Sequence, residues 1–413
     1  MNRTLSIILV LLFLTAMLAG AGCAQTNTDE PTLETAATDT ADAGETTAVS
    51  DDTAADTKAT AGDTARETTD ETSAVAGETE TMITDLLGRE VTIPANANRF
   101  AAIGPGSLRL YCYVADVAQL AGIESFELND ISGRPYMIAN PSLLELDIIG
   151  PGGPNNAPDA ERILVAGPDV IFSMYNIEAS AADDLQQKTG IPVVALSYGV
   201  SEMFDPLVDQ SIELIGKITG NETRAAQVIG LFAAYQEDLL SRAANVADAD
   251  TPLAYMGGMG MRGAHGIEST TGNYSIFNAV GARNAVSEAG IDAYALLDKE
   301  KIIDLDPDFI FIDGSGLALV YQDYENNAAY YNSLQAFQND RVFLQLPYNF
   351  YYTNIGVAIA NAYFVGSILY PDQFSDIDPA VRFDQIMVSL VGAAAYEAMA
   401  EAYYGGYQQL LFD

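Results

Sequence analysis

"ERILVAGPDVIF" (Glu161–Phe172) and "EKIIDLDPDFIF" (Glu300–Phe311) are one phrase written twice, 139 residues apart. Each opens on a glutamate, a base and two aliphatic residues, reaches Pro-Asp three positions later and closes in a short apolar run. An aspartate, Asp159 or Asp298, stands two places before each glutamate. The pattern predicts a short helix that starts on an aspartate cap and carries its glutamate in the first turn. It stops before Pro168 or Pro307, because proline bars the preceding residue from helix, and a buried strand follows. Writing the unit twice predicts two related lobes. Either the glutamates serve only the helix dipole, at about 0.3–1 kcal/mol each, or each lobe presents one carboxylate at an equivalent outer corner. Two such corners make a docking geometry.

The flanking sequence fits two lobes. "MITDLLGREVTI" alternates apolar and polar residues around Gly88 and reads as an opening hairpin. Strands are expected at Arg99–Ile103, Asp169–Met174 and Pro192–Leu196, then at Pro252–Met256, Asp308–Ile312 and Arg341–Leu346. These runs are apolar on every residue, as in strands covered on both faces, so the fold class is α/β with mainly parallel sheets. Between the two sets, Asn221 is placed as an N-cap. Val228, Ile229, Phe232, Tyr235, Leu239 and Leu240 then keep helical period for more than twenty residues. One helix of that length spans about 30 Å or more and could bridge the lobes. The expected organisation is 81–220 for the N-terminal lobe, 221–247 for the bridging helix and 248–413 for the C-terminal lobe.

The first eighty residues read differently. Arg3, the apolar run Leu5–Leu18 and the small residues before Cys23 have the layout of a secretory signal over 1–23. "LAGAGC" resembles the lipobox of bacterial and archaeal lipoproteins, with Gly20 where that motif prefers Leu; the resemblance implies lipid attachment at Cys23. Residues 24–80 are mostly Thr, Ala, Asp, Glu, Ser and Gly without one aromatic. They cannot bury enough apolar surface to offset ordering entropy and are expected to be a disordered tether, with a root-mean-square reach of roughly 40 Å. Residues 81–413 hold 42 acidic against 15 basic side chains, −27 of the chain's −39. Nucleic acid and direct contact with an anionic membrane are therefore poor partners; acid-rich, lysine-poor composition also suits saline surroundings. The other cysteine, Cys112, sits in an apolar helical context and reads as a small buried hydrophobe.

The chain resembles the class III substrate-binding proteins of ABC importers, which deliver iron–siderophore complexes, haem and cobalamin. The resemblance rests on "DLLGREVTIP", "ERILVAGPDVIF", "GKITGNETRAAQVI", "IFNAVGARNAV", "EKIIDLDPDFIF" and "LYPDQF", in order across almost all of residues 81–400. It implies two small α/β lobes, a rigid helix between them, a ligand in the cleft, and one surface glutamate per lobe meeting arginines of the permease. Glu161 and Glu300 are the matching positions. It further implies a lipid-anchored, monomeric receptor on the outer side of the cytoplasmic membrane, working with a permease and its ATPase.

Ligands of open α/β lobes sit beyond the C-terminal strand ends. "GPGSLRLY" opens a helix there, directing amides around Gly106 and Ser107 outward with Arg109 one turn in. "GGMGMRGAHGIEST" carries Gly258, Gly260 and Gly263 in a G-x-G-x-x-G spacing, but no helical period follows, so a dinucleotide fingerprint is disfavoured. Arg262 and His265, the sole histidine, stand in this loop as an anion-binding pair, or as a structural pair with Glu268. "DGSG" (Asp313–Gly316) and "YNFYYTN" (Tyr348–Asn354) complete the rim. Tyr348, Tyr351 and Tyr352 either pack between elements or line the cleft for a planar chelate. One histidine disfavours a bare transition-metal site, and nothing assembles a nucleophile with a base. No cofactor is called for. Two ligand classes remain: an iron chelate (siderophore, haem or corrinoid), favoured by family frequency, and a molybdate- or tungstate-like oxyanion. A surface adhesin would explain anchor and tether but not the duplicated phrase.

Overall fold

The computed structural model describes residues 80–175, 178–200, 203–244, 246, 251–261 and 263–412. The signal and tether readings, Cys23 and Arg262 lie outside the described residues.

Six largely buried apolar runs form the centres of two sheets. In the N-terminal lobe, Phe100–Ile103, Val170–Ser173 and Val193–Ala195 pair in parallel with Val170–Ser173 in the middle. In the C-terminal lobe, Leu253–Gly257, Phe309–Asp313 and Val342–Gln345 do the same with Phe309–Asp313 in the middle. The short strands Arg283–Asn284 (parallel) and Gln408–Gln409 (antiparallel) extend the second sheet at its edges. The duplicated phrase therefore supplies each lobe with its central strand and the short helix before it, Ala160–Ala166 or Lys299–Leu305. Glu161 and Glu300 occupy the first turns of these helices, and both are exposed. The caps differ. Asp159 accepts from the Arg162 amide at 3.0 Å, whereas Asp298 makes no side-chain cap bond. The opening hairpin pairs Thr81–Thr84 with Glu90–Ile93, turning where Gly88 takes a φ of 75°.

The helix Glu222–Ala243 has 22 residues, about 33 Å at 1.5 Å per residue. Asn221 precedes it but does not cap it: its side-chain amide donates backward to the Thr219 carbonyl at 3.1 Å and hydroxyl at 3.0 Å. The helix ties both lobes through side chains. Arg224 donates to the Tyr113 carbonyl of the first lobe at 2.9 Å and to the Ser389 and Leu390 carbonyls of the second at 2.7 and 2.9 Å. Arg242 pairs with Asp238 and Asp376. Val228 and Phe232 enter an apolar cluster that runs from Phe100 and Tyr111 to Phe311 and Tyr363, so one continuous core spans the two lobes. At its centre lies the helix Ile355–Leu369, nearly all of it buried.

Candidate functional site

The C-terminal ends of the first lobe's strands are occupied by compact turns. After Ile103 the chain reverses through Gly104 and Gly106, with φ of 85° and 82°. A Cβ on Gly106 would stand 2.4 Å from the Tyr198 ring, so both conformation and packing demand glycine there. Ser107 is buried; its hydroxyl donates to the Phe172 carbonyl at 3.2 Å and its amide to Gly104 at 3.2 Å. These two groups are used inside the lobe.

Arg109, fully buried, reaches from the first lobe to the second. One terminal nitrogen donates to the Thr353 carbonyl at 2.8 Å and to the Tyr198 hydroxyl at 3.1 Å, and the other donates to the Phe350 carbonyl. Its Nε has no partner, its guanidinium lies 5.1 Å from the centre of the Tyr136 ring, and no described carboxylate pairs with it. A buried charge held only by neutral acceptors is under-compensated, since desolvation is offset by hydrogen bonds and not by an opposite charge.

A second buried arginine stands alongside. Arg134 is paired with Glu127, and Tyr136 donates to the same Glu127 oxygen at 2.6 Å. The Arg134 Nε is also without a partner, and its guanidinium faces the rings of Phe126 at 5.4 Å and Tyr351 at 6.0 Å.

The loop Tyr348–Asn354 of the second lobe enters this region. Tyr351 and Tyr352 both adopt left-handed backbone, with φ of 49° and 79°, which is costly for residues with a Cβ and marks a loop whose shape is imposed by its contacts. The Tyr351 ring packs 4.6 Å from Phe126, and Tyr352 packs 4.8 Å from Tyr198. The Tyr351 hydroxyl accepts from the Gly153 amide at 2.8 Å and lies 3.1 Å from Glu124 and from the Tyr175 hydroxyl. Glu124, 2 % exposed, also accepts from Tyr175 at 2.6 Å and from the Gly104 amide at 2.9 Å. Burial pushes its carboxyl up to about 7 against the pull of these donors, with Glu127 adding repulsion. Burial and the Glu124 carboxylate push the Tyr175 and Tyr351 phenols up, which keeps both as donors.

Tyr348 is buried against Tyr274, 6.1 Å between ring centres, inside the second lobe. His265 is half-buried and holds the Met261 carbonyl through Nε2 at 2.9 Å; among the described residues it makes no hydrogen bond to Arg109 or Arg134. Glu268, its neighbour in the loop, accepts from the Gly266 amide. Gly258 and Gly263 turn the loop with φ of 73° and 138°, and the strand Ser269–Thr271 follows rather than a helix. Through Gly260, whose carbonyl accepts from Asn349 at 3.0 Å, this loop touches the tyrosine loop. Asp313 ends the central strand, caps its own turn through Ser315, and is pushed by burial up to about 6. Cys112 is half-buried and burial raises its thiol, which makes it unreactive. Among the described residues no group of metal-ligating side chains gathers, and no helix is long and apolar enough to cross a membrane.

Residues 144–346 match the family model described as periplasmic binding protein. Residues 144–346 thus carry a periplasmic binding protein domain. Over 320 residues it is 24% identical to the Molybdate-binding protein MolA of Haemophilus influenzae, covering 72% of this chain and 87% of that one. The molybdate-bound structure of MolA superposes with a TM-score of 0.60 at 22% identity, over 76% of this chain and 98% of MolA. A periplasmic solute binding protein of Veillonella parvula gives 0.63 at 18% identity, over 79% and 97%. Helicobacter pylori Ceue, solved with Ni(II) bound, gives 0.54 at 17% identity, over 77% and 99%.

The sequence motifs lead to only part of this lobe junction. Glu124, Glu127, Arg134, Tyr136, Tyr175 and Tyr198 were not singled out. Two signals pointed to them: Glu124 and Tyr175 fall at or just beyond strand ends, and "ELNDISGRPY" places an arginine between an acid and a tyrosine in a chain poor in bases.

Proposed function

We propose that this protein is the exported, membrane-tethered solute receptor of an ABC importer, and that its ligand is a small tetrahedral oxyanion of the molybdate or tungstate kind. The carrying observation is Arg109, a buried cation at the lobe junction without a described counter-charge. An entering oxyanion supplies that charge and accepts the hydrogen bonds that the Phe350 and Thr353 carbonyls otherwise take. Arg134, one ring away, adds a second guanidinium with a spare donor. MolA's printed ligand supports the same class. The iron chelate favoured by the resemblance is supported by the rings of Phe126, Tyr198, Tyr351 and Tyr352, but a macrocycle requires both tyrosines to leave the first lobe. An oxyanion requires only the Phe350 and Thr353 carbonyls and the Tyr351 hydroxyl to give up their partners. Capture is followed by diffusion on the tether and docking to the permease through Glu161 and Glu300; no step is catalytic.

The test is thermal unfolding with molybdate, tungstate, sulfate, a ferric siderophore, haem and a corrinoid. An oxyanion at about 100 times its Kd adds about 2.7 kcal/mol. Stabilisation by a chelate alone overturns the ligand class while leaving the receptor reading in place.

A further inference from the structure

We propose that Glu124 makes capture proton-linked: taking up a proton releases the tyrosine loop and admits the anion. The inference rests on the oxyanion reading and adds a regulation to that site.

Glu124 lies at the junction of three segments. Its own turn follows the short strand Ile123–Glu124 and brings Glu127 near. Tyr175 and the Gly104 amide approach from the first lobe, and Tyr351 from the second. Among the described residues no cation is bonded to Glu124; Arg134, 6.0 Å from the centre of the Tyr351 ring, is paired with Glu127. An ionised Glu124 thus has three donors and no counter-ion.

Two consequences follow from ionisation, and they act in the same direction. First, the carboxylate holds the Tyr351 hydroxyl, which keeps the loop seated with its carbonyls on Arg109. Second, the Glu124 charge, though not bonded to Arg109, offsets part of the positive charge of the junction, so an anion gains less on entering than it would beside the arginines alone. A proton from solvent on Glu124 turns the charge-assisted bond from Tyr351 into a weaker neutral one and leaves the two guanidinium groups with one carboxylate, Glu127. Both changes favour the anion. The burial that raises this carboxyl places the change near neutral pH.

The experiment is titration calorimetry of the full chain with sodium molybdate, between pH about 6 and 9, in buffers of different ionisation enthalpy. Near pH 8 the wild type is expected to take up about one proton per anion, with affinity falling about tenfold per pH unit above the Glu124 pKa. Glu124→Gln is expected to bind without proton uptake. Uptake that is absent in the wild type, or unchanged in Glu124→Gln, overturns the inference while the ligand class stands. If molybdate produces no heat at any pH, the ligand class fails. Glu124 is then judged by hydrogen exchange in the Tyr348–Asn354 amides, corrected for intrinsic rates. Weaker protection at pH about 6 than at about 8 in the wild type, abolished in Glu124→Gln, supports the latch; equal protection overturns it.

Discussion

In the proposed oxyanion receptor, Arg109 and Glu124 divide the work at the scale of single residues. The arginine supplies charge and the carboxyl decides how much of it an anion meets. Replacing Arg109 by Met removes the cation and three hydrogen bonds. Oxyanion affinity is expected to fall by about 2–5 kcal/mol, as for truncation of a buried charge partner, read by calorimetry. Folding stability also changes with pH, and the sign is fixed. The usual carboxyl value of 4.5 for Glu124 rises to about 7 in the fold, and that of Asp313 rises from 3.8 to about 6. The native state therefore keeps these protons longer than the unfolded chain. Their contribution is fully present below the unfolded values and is lost as pH rises through 4.5 to about 7 and 3.8 to about 6. Melting temperatures of Glu124→Gln and Asp313→Asn are expected to exceed the wild type increasingly as pH rises across these windows. A gap that does not vary with pH contradicts the assignment.

Among the secondary elements, the duplicated helices carry the docking proposal. Each short helix exposes its glutamate at the outset and an aliphatic residue one turn on, Leu164 at 54% and Ile303 at 41% exposure. Reversing both charges, Glu161→Lys with Glu300→Lys, is expected to abolish uptake in cells while leaving ligand affinity unchanged; weakened affinity would place these residues in the cleft. The turn before the helix Ser107–Val114 has its own test. Gly106→Ala must force a Cβ into the Tyr198 ring at a left-handed φ, and a loss of about 1–3 kcal/mol is expected from chemical denaturation. These elements were legible because both-face burial writes uninterrupted apolar runs, and Phe100–Ile103, Val170–Ser173 and Val342–Gln345 all fell inside the predicted strands. The stretch from Ser125 to Glu145 was not. It consists of single-turn 3₁₀ and α segments with no sustained period, and the Arg134–Glu127 pair acquires meaning only when Tyr351 arrives from more than two hundred residues away. The Asn221 cap failed for a local reason: its side chain found acceptors on Thr219 behind it.

For the whole molecule, the shared apolar cluster matters more than the outline of two lobes. Because the core passes through the helix Glu222–Ala243 without a break, calorimetry on residues 81–413 is expected to show one unfolding transition. Two separated transitions would mean that the lobes are energetically independent. Arg224→Ala strands three backbone carbonyls, one from the first lobe and two from the second, and is expected to cost about 1–3 kcal/mol, again within one transition. The clamp of Arg109 has a different reach. It grips the tyrosine loop by the main-chain oxygens of Phe350 and Thr353, and every amino acid carries that atom. Positions 350 and 353 can therefore change side chain without loosening that hold before any ligand enters, whereas Tyr351, whose hydroxyl seats the loop on Glu124, cannot.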